Sequence, residues 1–220
     1  MGFAKKDEGV AVIKPANIVR TTLRIKGTAP LVMAKFSQKT RQQLLANMSA
    51  SGANKKAKSA RPPRNYDEEF KNAQHRTVGG RHGIPCAAFR NAMIDACRLA
   101  GVMMTRAKMS IFIIADGVDE DDGTPLAYIV SKKAPEKLES LVRNDNGSAD
   151  IRIRPMWREW GADVTIEFDA DMITAESVVN LLDRAGRQVG ILEGRPFSKN
   201  SCGQGWGTFT VVTGDNKRDK

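Results

Sequence analysis

The segment IPCAAFRNAMIDACRLAG, residues 84–101, is the clearest structural element in the sequence, and the fold can be built outward from it. Pro85 suits the first turn of a helix, where its missing N–H costs nothing, and Gly101 suits the residue that follows the last turn. Apolar side chains recur at three- and four-residue spacing, which places them on one face of an α-helix. The pattern predicts a helix over residues 85–100 whose buried face comprises Ala88, Phe89, Ala92, Met93, Ala96, Cys97 and Ala100.

Strand patterns and a second helical pattern surround this helix. Residues 18–26 alternate polar and β-branched side chains and predict a first strand, while KMSIFIIAD (residues 108–116) predicts a buried strand directly after the helix. The segments ADIRIRPMW and GADVTIEFDAD alternate with period two on either side of REWG, which predicts a hairpin. A second helix is predicted over residues 174–186, with Thr174 as its cap, and WGTFTVVTG (residues 206–214) predicts a last strand.

The predicted order of these elements is strand, helix, strand, strand, helix, strand once the insertions are set aside. This order is typical of the ferredoxin-like, RRM-like βαββαβ unit. We therefore expect an α+β fold in which residues 1–220 form a single domain around a ferredoxin-like core. The connection between the first strand and the first helix, residues 28–84, is a long insertion, and a segment of that length is usually functional or disordered.

The 28–84 insertion holds most of the chain's excess positive charge. The 220-residue chain has a formal net charge of +10, and the insertion has eleven cations against three acids. Such a concentration predicts contact with the phosphates of a polyanion. The alternative is a solvated loop without a partner. The eleven cations are Lys35, Lys39, Arg41, Lys55, Lys56, Lys58, Arg61, Arg64, Lys71, Arg76 and Arg81.

Cysteine usage and the apolar runs indicate the compartment. Cys86, Cys97 and Cys202 form no C-x-x-C pair, and an odd count is typical of a reducing environment. The first residues lack the apolar core of a signal peptide, and the longest apolar run, MSIFIIA, has the length of a strand. We expect a cytoplasmic protein that does not interact with membranes.

The segment HRTVGGRHG, residues 75–83, contains both histidines of the chain and ends just before the predicted helix. Its glycines and cations predict phosphate or base contacts by Arg76, Arg81 and His82, and Arg90 follows on the helix. The same histidines leave open a general acid–base pair for RNA cleavage. No cysteine lies at ligand spacing from them, so a zinc site is not expected.

The acidic segment DGVDEDDGT, residues 116–124, does not match a calcium loop. That loop ends in a glutamate at a fixed offset after its glycine, and the residues that follow Gly123, up to Val130, include no glutamate. We therefore expect a solvated acidic turn, and we predict neither a metal nor a cofactor. Phosphate loops, nucleophile elbows and metalloprotease helices are also missing from the sequence.

The glycine-rich segment GRPFSKNSCGQGWGTFTVV, residues 194–212, places Gly203, Gly205 and Gly207 before the last predicted strand. A dinucleotide fingerprint follows a strand and opens a helix, whereas this segment follows a loop and opens a strand, so it predicts no cofactor. Bare backbone of this kind admits a polymer backbone or a flat base at close range. Arg195 and Lys199 add charge. Trp206 is either a core anchor or a base-stacking platform, and the first is favoured because aromatic residues at strand positions usually pack in the core.

Three of these segments together resemble the RAMP superfamily, the repeat-associated RNA-binding proteins of CRISPR systems. TLRIKGTAPLVM is similar to the first strand and Pro-Leu turn of the family, and HGIPCAAFRNAMIDACR is similar to its first helix, with Ile84, Pro85, Phe89 and Arg90 in place. VGILEGRPFSKNSCGQGWGTFTV resembles its late glycine-rich loop. The resemblance implies a ferredoxin-like core and a single-stranded RNA ligand. Backbone subunits of the family polymerise along guide RNA with an insertion that acts as a thumb, which implies a thumb-like role for the basic insertion, residues 28–84. The sequence departs from the family at PCAAF, where serines are usual, and at FSKNSC, which spreads the glycines apart.

Three classes of function follow from these patterns. The first is a non-enzymatic protein that binds single-stranded RNA or DNA and self-associates along the strand, as a CRISPR backbone subunit or a phage or plasmid relative. The second is a metal-independent endoribonuclease that uses His75 or His82, and the third is an assembly protein whose basic face binds an acidic protein. For the first class the predicted nucleic-acid-binding residues are Lys35, Lys39, Arg41, Lys55, Lys56, Lys58, Arg61, Arg64, Arg76, Arg81, His82, Arg90, Arg195, Lys199, Gly203, Gly205 and Gly207.

Overall fold

The computed structural model describes residues 14–36, 41–42, 45–46, 48, 64–143, 147, 149–197 and 203–212. In this part of the chain four α-helices combine with three antiparallel sheets, so the predicted α+β fold is confirmed. The helices are α1 (Tyr66–Asn72), α2 (Cys86–Ala100), α3 (Met104–Ser110) and α4 (Ala175–Arg184). The strands are β1 (Ile18–Gly27), β2 (Leu31–Val32), β3 (Gly83–Pro85), β4 (Ile111–Ile114), β5 (Gly117–Val118), β6 (Pro125–Tyr128), β7 (Glu136–Arg143), β8 (Ala149–Trp157), β9 (Gly161–Asp169) and β10 (Phe209–Val211).

The largest sheet has the strand order β10–β1–β9–β4, and every neighbouring pair is antiparallel. β1 and β9 form its centre, in register from Ile18 opposite Asp169 to Lys26 opposite Gly161. Burial along β9 alternates, because successive side chains of a strand point to opposite faces. One face of this sheet therefore contributes Val164, Ile166 and Phe168 to the core.

Helices α2 and α4 supply the other side of the core, as their sequence patterns predict. α2 ends at Gly101, whose φ of +67° is the left-handed conformation that glycine adopts at low cost. α4 begins at Thr174, whose hydroxyl accepts a hydrogen bond from the Ser177 amide. Phe89 of α2 is fully buried and meets Phe209 of β10 edge to face at 5.9 Å, so the first helix and the last strand share one cluster. After α4 the chain continues as a π-helical turn, Ala185–Val189.

The predicted hairpin between β8 and β9 is wrong, although both strands exist. β9 pairs with β1 and β4, whereas β8 pairs with β2 and β7 in a separate three-stranded sheet. Trp160, in the supposed turn, is buried and donates its indole N–H to the carbonyl of Ala29 at 2.8 Å. In a hairpin turn this ring would be exposed to solvent. Instead it is buried, and the chain passes at this point from one sheet to the next.

The strand predicted over residues 108–116 is shorter than its apolar run suggests. Lys108 and Ser110 lie in α3, and only residues 111–114 form β4. Arg90 of α2 donates to the backbone carbonyls of Lys108 and Ile111, at the point where α3 ends and β4 begins. Arg90, predicted to bind nucleic acid, thus joins α2 to this junction.

The two smaller sheets flank helix α2 and the insertion. One has the order β2–β8–β7, and Leu31 of β2 is fully buried opposite Trp157 of β8. The other has the order β3–β6–β5, and β3 leads directly into α2. β5 and β6 bracket the acidic turn, which brings that turn close to the end of the insertion.

Candidate nucleic-acid interface

The Pro-Leu turn and the glycine-rich loop, two segments of the family resemblance, lie side by side. We use the name glycine-rich loop for residues 190–207, of which 198–202 fall outside the described residues. Its backbone is hydrogen-bonded to the turn, because the Gly207 amide donates to the Pro30 carbonyl at 2.8 Å and the Glu193 amide to the Val32 carbonyl at 3.2 Å. The start of the insertion and the loop before the last strand therefore form one backbone unit.

Gly203, Gly205 and Gly207 share a left-handed backbone but differ in what surrounds them. All three have positive φ: +64° at Gly203, +77° at Gly205 and +66° at Gly207. At Gly207 a Cβ would lie 2.0 Å from the carbonyl oxygen of Ile191, so this glycine is required by packing. At Gly203 and Gly205 a Cβ would meet nothing within 4 Å. Open space beside left-handed backbone leaves these two positions accessible to an external group.

Arg195 braces the loop from within. Its guanidinium donates to the carbonyls of Leu192, at 3.0 Å, and Phe197, at 3.1 Å. Leu192 has a φ of +61°, the only positive φ at a non-glycine residue in the described part of the chain. Left-handed backbone at a residue with a Cβ is strained and persists only where neighbouring contacts impose it. Arg195 therefore shapes the loop, in addition to the charge for which the sequence singled it out.

Trp206 packs against the loop's own backbone. Its ring lies so close to Gly194 that a Cβ there would be 2.4 Å from ring atom Cε3, and its amide donates to the Gly194 carbonyl at 3.1 Å. The side chain is half-buried. This placement favours the anchoring role over the stacking role that the sequence left open.

Asp119, in the acidic turn, is buried among hydrogen-bond donors, one of which is Lys35, a few residues after the Pro-Leu turn. Asp119 is 2% exposed, so the prediction of a solvated acidic turn is wrong for this residue and holds for its exposed neighbours Glu120 and Asp122. One of its oxygens accepts from Lys35 Nζ at 2.6 Å, and the other lies 2.8 Å from His75 Nδ1. The amides of Asp121, at 2.9 Å, and Arg76, at 3.3 Å, complete the shell.

These bonds settle the charge state of the cluster. Burial by itself would raise the pKa of Asp119, but the bonds from Lys35, the Asp121 amide and His75 outweigh it and lower that pKa. Burial opposes the charge on Lys35 in the same way, and its bonds to Asp119 and Asp121 leave its pKa raised. Lys35, with its side chain 3% exposed, is thus engaged in an internal ion pair, and its role as a phosphate contact stays a prediction.

The cluster has donor atoms for a metal but also its own cation. Ligand atoms of His75, Asp119 and Asp122 lie within 4.8 Å of one another. Both Asp119 oxygens already accept two hydrogen bonds each, and the Lys35 ammonium supplies the compensating charge. The prediction that the protein needs no metal stays a prediction. A cavity of about 450 Å³ adjoins the cluster, and its wall includes Ala34, Lys35, Phe36, Arg41, His75, Asp121, Asp122 and Thr124.

Other predicted contacts also have intramolecular partners. Arg64 pairs with Glu69 and Asp150, at 2.7 and 2.6 Å, which raises its pKa. Arg76 donates to Gln74, and the Arg81 guanidinium lies 3.8 Å from the centre of the Tyr128 ring. These pairs fix the ends of the insertion but leave the cations partly at the surface. Six predicted contacts lie outside the described residues: Lys39, Lys55, Lys56, Lys58, Arg61 and Lys199.

His82 lies below the surface of the same region. Its Nε2 is 2.9 Å from the side-chain oxygen of Gln74, and its ring meets Trp157 edge-on at 5.4 Å. Burial, with a contribution from the charge of Arg76, lowers the pKa of His82 and favours the neutral imidazole. A neutral, half-buried ring is better suited to packing than to phosphate binding.

The open face of the large sheet is not a stacking surface of the RRM kind. RRM modules stack bases on aromatic side chains of the sheet. Here the central strands present the ion pairs Arg20–Glu167 and Arg24–Asp163, both at 2.8 Å, and the hydrogen-bonded pair Thr22–Thr165. The exposed positions of β1 and β9 include no aromatic ring. The glycine-rich loop and the insertion, instead of the sheet, are therefore the candidate interface.

The buried Asp119 generates a stability prediction. Asp119→Ala leaves the Lys35 ammonium buried with one carboxylate fewer, and breaking such a pair costs about 3–5 kcal/mol of unfolding free energy. Glu120→Ala, on the same turn but exposed, should stay within about 0.5 kcal/mol of wild type. Urea unfolding at neutral pH measures both. Equal stabilities of the two variants would contradict the cluster.

Stability should also fall in acid through Asp119. Its folded pKa is lowered, so its contribution is complete above its unfolded pKa of about 3.9 and is lost as the pH falls through the folded pKa. The same urea titration at pH 5 and below, with Asp119→Ala as the control that lacks this term, should show the difference between the proteins shrinking.

No protein-family model matches this chain, and no curated protein is significantly similar to it. The resemblance to RAMP proteins thus rests on the three quoted segments alone. Function has to be inferred from the chemistry of the site, because a fold by itself does not specify an activity.

Proposed function

We propose that this protein binds single-stranded nucleic acid through the glycine-rich loop and the basic insertion, without catalysing a reaction. The observation on which this proposal rests is Gly205, which holds left-handed backbone, with a φ of +77°, where an added Cβ would meet nothing within 4 Å. Gly207, in contrast, is packed on Ile191. Gly205 lies on a loop that is hydrogen-bonded to the start of the insertion, and its open side allows a polymer backbone to approach the main chain closely.

The insertion supplies the electrostatic part of the proposed interface. By sequence its eleven cations outnumber its three acids, and ten of the cations remain for the interface once Lys35, which is buried in an ion pair, is set aside. The insertion starts at the turn to which the glycine-rich loop is bonded. Contacts with phosphate are sequence-independent and add affinity for any strand, whereas backbone amides of a loop position it. The proposed ligand is therefore a single strand bound with little base preference, RNA or DNA, and self-association along that strand belongs to the proposal.

We further propose that the core is ferredoxin-like and related to RAMP proteins. In support, β9 lies between β1 and β4, the strands that α2 connects. Similarly, β1 lies between β9 and β10, the strands that α4 connects. Two interleaved split βαβ units are the defining feature of that fold. The Pro-Leu turn and the glycine-rich loop, which both belong to the segments that resemble RAMP proteins, also lie next to each other.

Binding should be salt-dependent and selective for single strands. Each phosphate that is neutralised contributes about −0.7 to the slope of log affinity against log salt concentration. Fluorescence anisotropy of labelled oligo-dT and oligo-U across salt concentrations gives the slope, and a hairpin duplex serves as the competitor. Tighter binding to the duplex, or affinity that does not change with salt, would count against the proposal.

The accessible glycines should matter for binding more than for folding. In Gly205→Val the side chain enters open space, so the main cost is left-handed strain of about 1–2 kcal/mol. The same side chain keeps a strand away from the amides, and we expect affinity to fall roughly tenfold, about 1.4 kcal/mol. Gly123→Val is the matched control, because Gly123 has a φ of +70° and equally open surroundings on the acidic turn. Anisotropy and thermal unfolding of both variants decide the matter, and equal affinities would refute a role for the loop.

A second candidate function, RNA cleavage, is favoured by one contact. His75 is oriented by the buried Asp119 and borders the cavity that Arg41 also lines. A histidine held by a carboxylate is suited to general acid–base catalysis. Against this function, Lys35 is bonded to Asp119 and Asp121 and is not available to stabilise a phosphorane.

We expect no cleavage. Wild-type protein incubated with structured and unstructured RNA, with EDTA or with Mg²⁺, should leave the RNA intact on a denaturing gel. The reason is that the second histidine, His82, is bonded to Gln74 and packed on Trp157, so the two histidines do not form an acid–base pair in one site. Discrete products that disappear in the His75→Ala protein would establish the nuclease.

A further inference from the structure

Phe197 is an exposed aromatic ring on a fixed stretch of backbone. Phe197 is 44% exposed to solvent. The backbone on both sides is held, because the Phe197 amide donates to the Val189 carbonyl at 3.2 Å and the Phe197 carbonyl accepts from Arg195 at 3.1 Å. Because the backbone that carries the ring is already fixed, a ligand that stacks on the ring loses less conformational entropy of the protein on binding.

Arg98, in the last turns of α2, lies beside this ring. Its guanidinium carbon is 5.9 Å from the ring centre, within the range of a cation–π contact. Arg98 is also bonded to the sulfur of Met104 at 3.4 Å, which ties the cation to α3. The result is a ring with a positively charged, planar neighbour at the edge of the glycine-rich loop.

We propose that Phe197, positioned by Arg98, is the base-stacking site of the interface. The inference rests on the proposed single-strand binding and identifies the group that receives a nucleobase. Every base has a π-face, so a ring of this kind adds affinity without base preference, as a strand-coating protein requires. Arg98 adds a cation beside the ring, and Gly205 is on the same loop.

Two other rings are less suited to this role. Trp206 is half-buried against Gly194, so its ring serves the loop. Phe112 is 43% exposed and lies 5.2 Å from the Arg90 guanidinium, but it belongs to edge strand β4, opposite Glu167 in the ladder. Phe112 therefore offers a matched control: the same residue type, nearly the same exposure and an arginine neighbour, at a different place in the fold.

The test uses the full chain and an oligonucleotide that contains a single 2-aminopurine, whose fluorescence falls when the base stacks. Binding to wild type should quench the signal. Phe197→Leu should bind roughly tenfold more weakly, with less quenching and an unchanged salt slope, because no phosphate contact is lost. Phe197→Trp should retain both affinity and quenching, and Phe112→Leu should behave as wild type.

The possible failures are distinguishable. If wild type binds with the expected salt slope but Phe197→Leu binds equally well, the stacking site is refuted and the proposed function stands. Equal weakening by Phe197→Leu and Phe112→Leu also refutes the site, as it would assign the effect to general surface hydrophobicity. If wild type binds no single strand, the proposed function fails and the stacking site with it. Thermal unfolding of each variant confirms that the comparison is between folded proteins.

Discussion

The close approach of backbone at Gly207 is the constraint on which the candidate interface depends. The Gly207 amide bonds the Pro30 carbonyl while its own carbonyl accepts from the Ile191 amide at 3.0 Å, and a Cβ at this residue would overlap Ile191. Three chain segments distant in sequence are thereby joined: the end of β1, the residues after the π-helical turn, and the start of β10. With these segments fixed, Arg195 can impose left-handed backbone at Leu192, and the loop can hold Gly203 and Gly205 beside open space.

Charge in the described part of the insertion is used in two ways. Lys35 is buried with Asp119 and Asp121, where its loss of hydration is offset by two short ion pairs. Arg64 and Arg81 remain nearer the surface, each held by an intramolecular partner. A cation with a fixed position meets a phosphate with less loss of side-chain entropy, although each internal partner competes with that phosphate. The buried Lys35 cluster thus ties the start of the insertion to the acidic turn, and the surface cations contribute the positive charge of the proposed interface.

Local patterns predicted the elements of the fold better than their partners. The period of α2, the Thr174 cap and the alternation of β1 and β9 depend on neighbours in sequence and agree with the structure, except that Ala100, predicted to be buried at the end of α2, is exposed. The β8–β9 hairpin failed because Trp160 is buried against Ala29, a contact between residues 131 apart that no local pattern contains. Asp119 was missed for the same reason: its neighbours are exposed acids, and its donors come from elsewhere in the chain. Among the predicted contacts, the glycines were identified by type, but only the packing around them separates Gly207 from Gly203 and Gly205.

The division between sheet and loop explains why this α+β core needs a glycine-rich segment at all. Ion pairs and a threonine pair across β1 and β9 satisfy the polar groups of the open sheet face, and breaking them to admit bases would cost their mutual interaction. The loop has no comparable set of cross-strand side-chain pairs at Gly203 and Gly205, since glycine has no side chain to pair. An open backbone position at Gly205 and an exposed ring at Phe197 therefore coexist on one short segment, while Trp206 packs against Gly194 of that segment. In the proposed function, a strand bound there is recognised through its backbone and its stacking faces, which are the features that all nucleotides share.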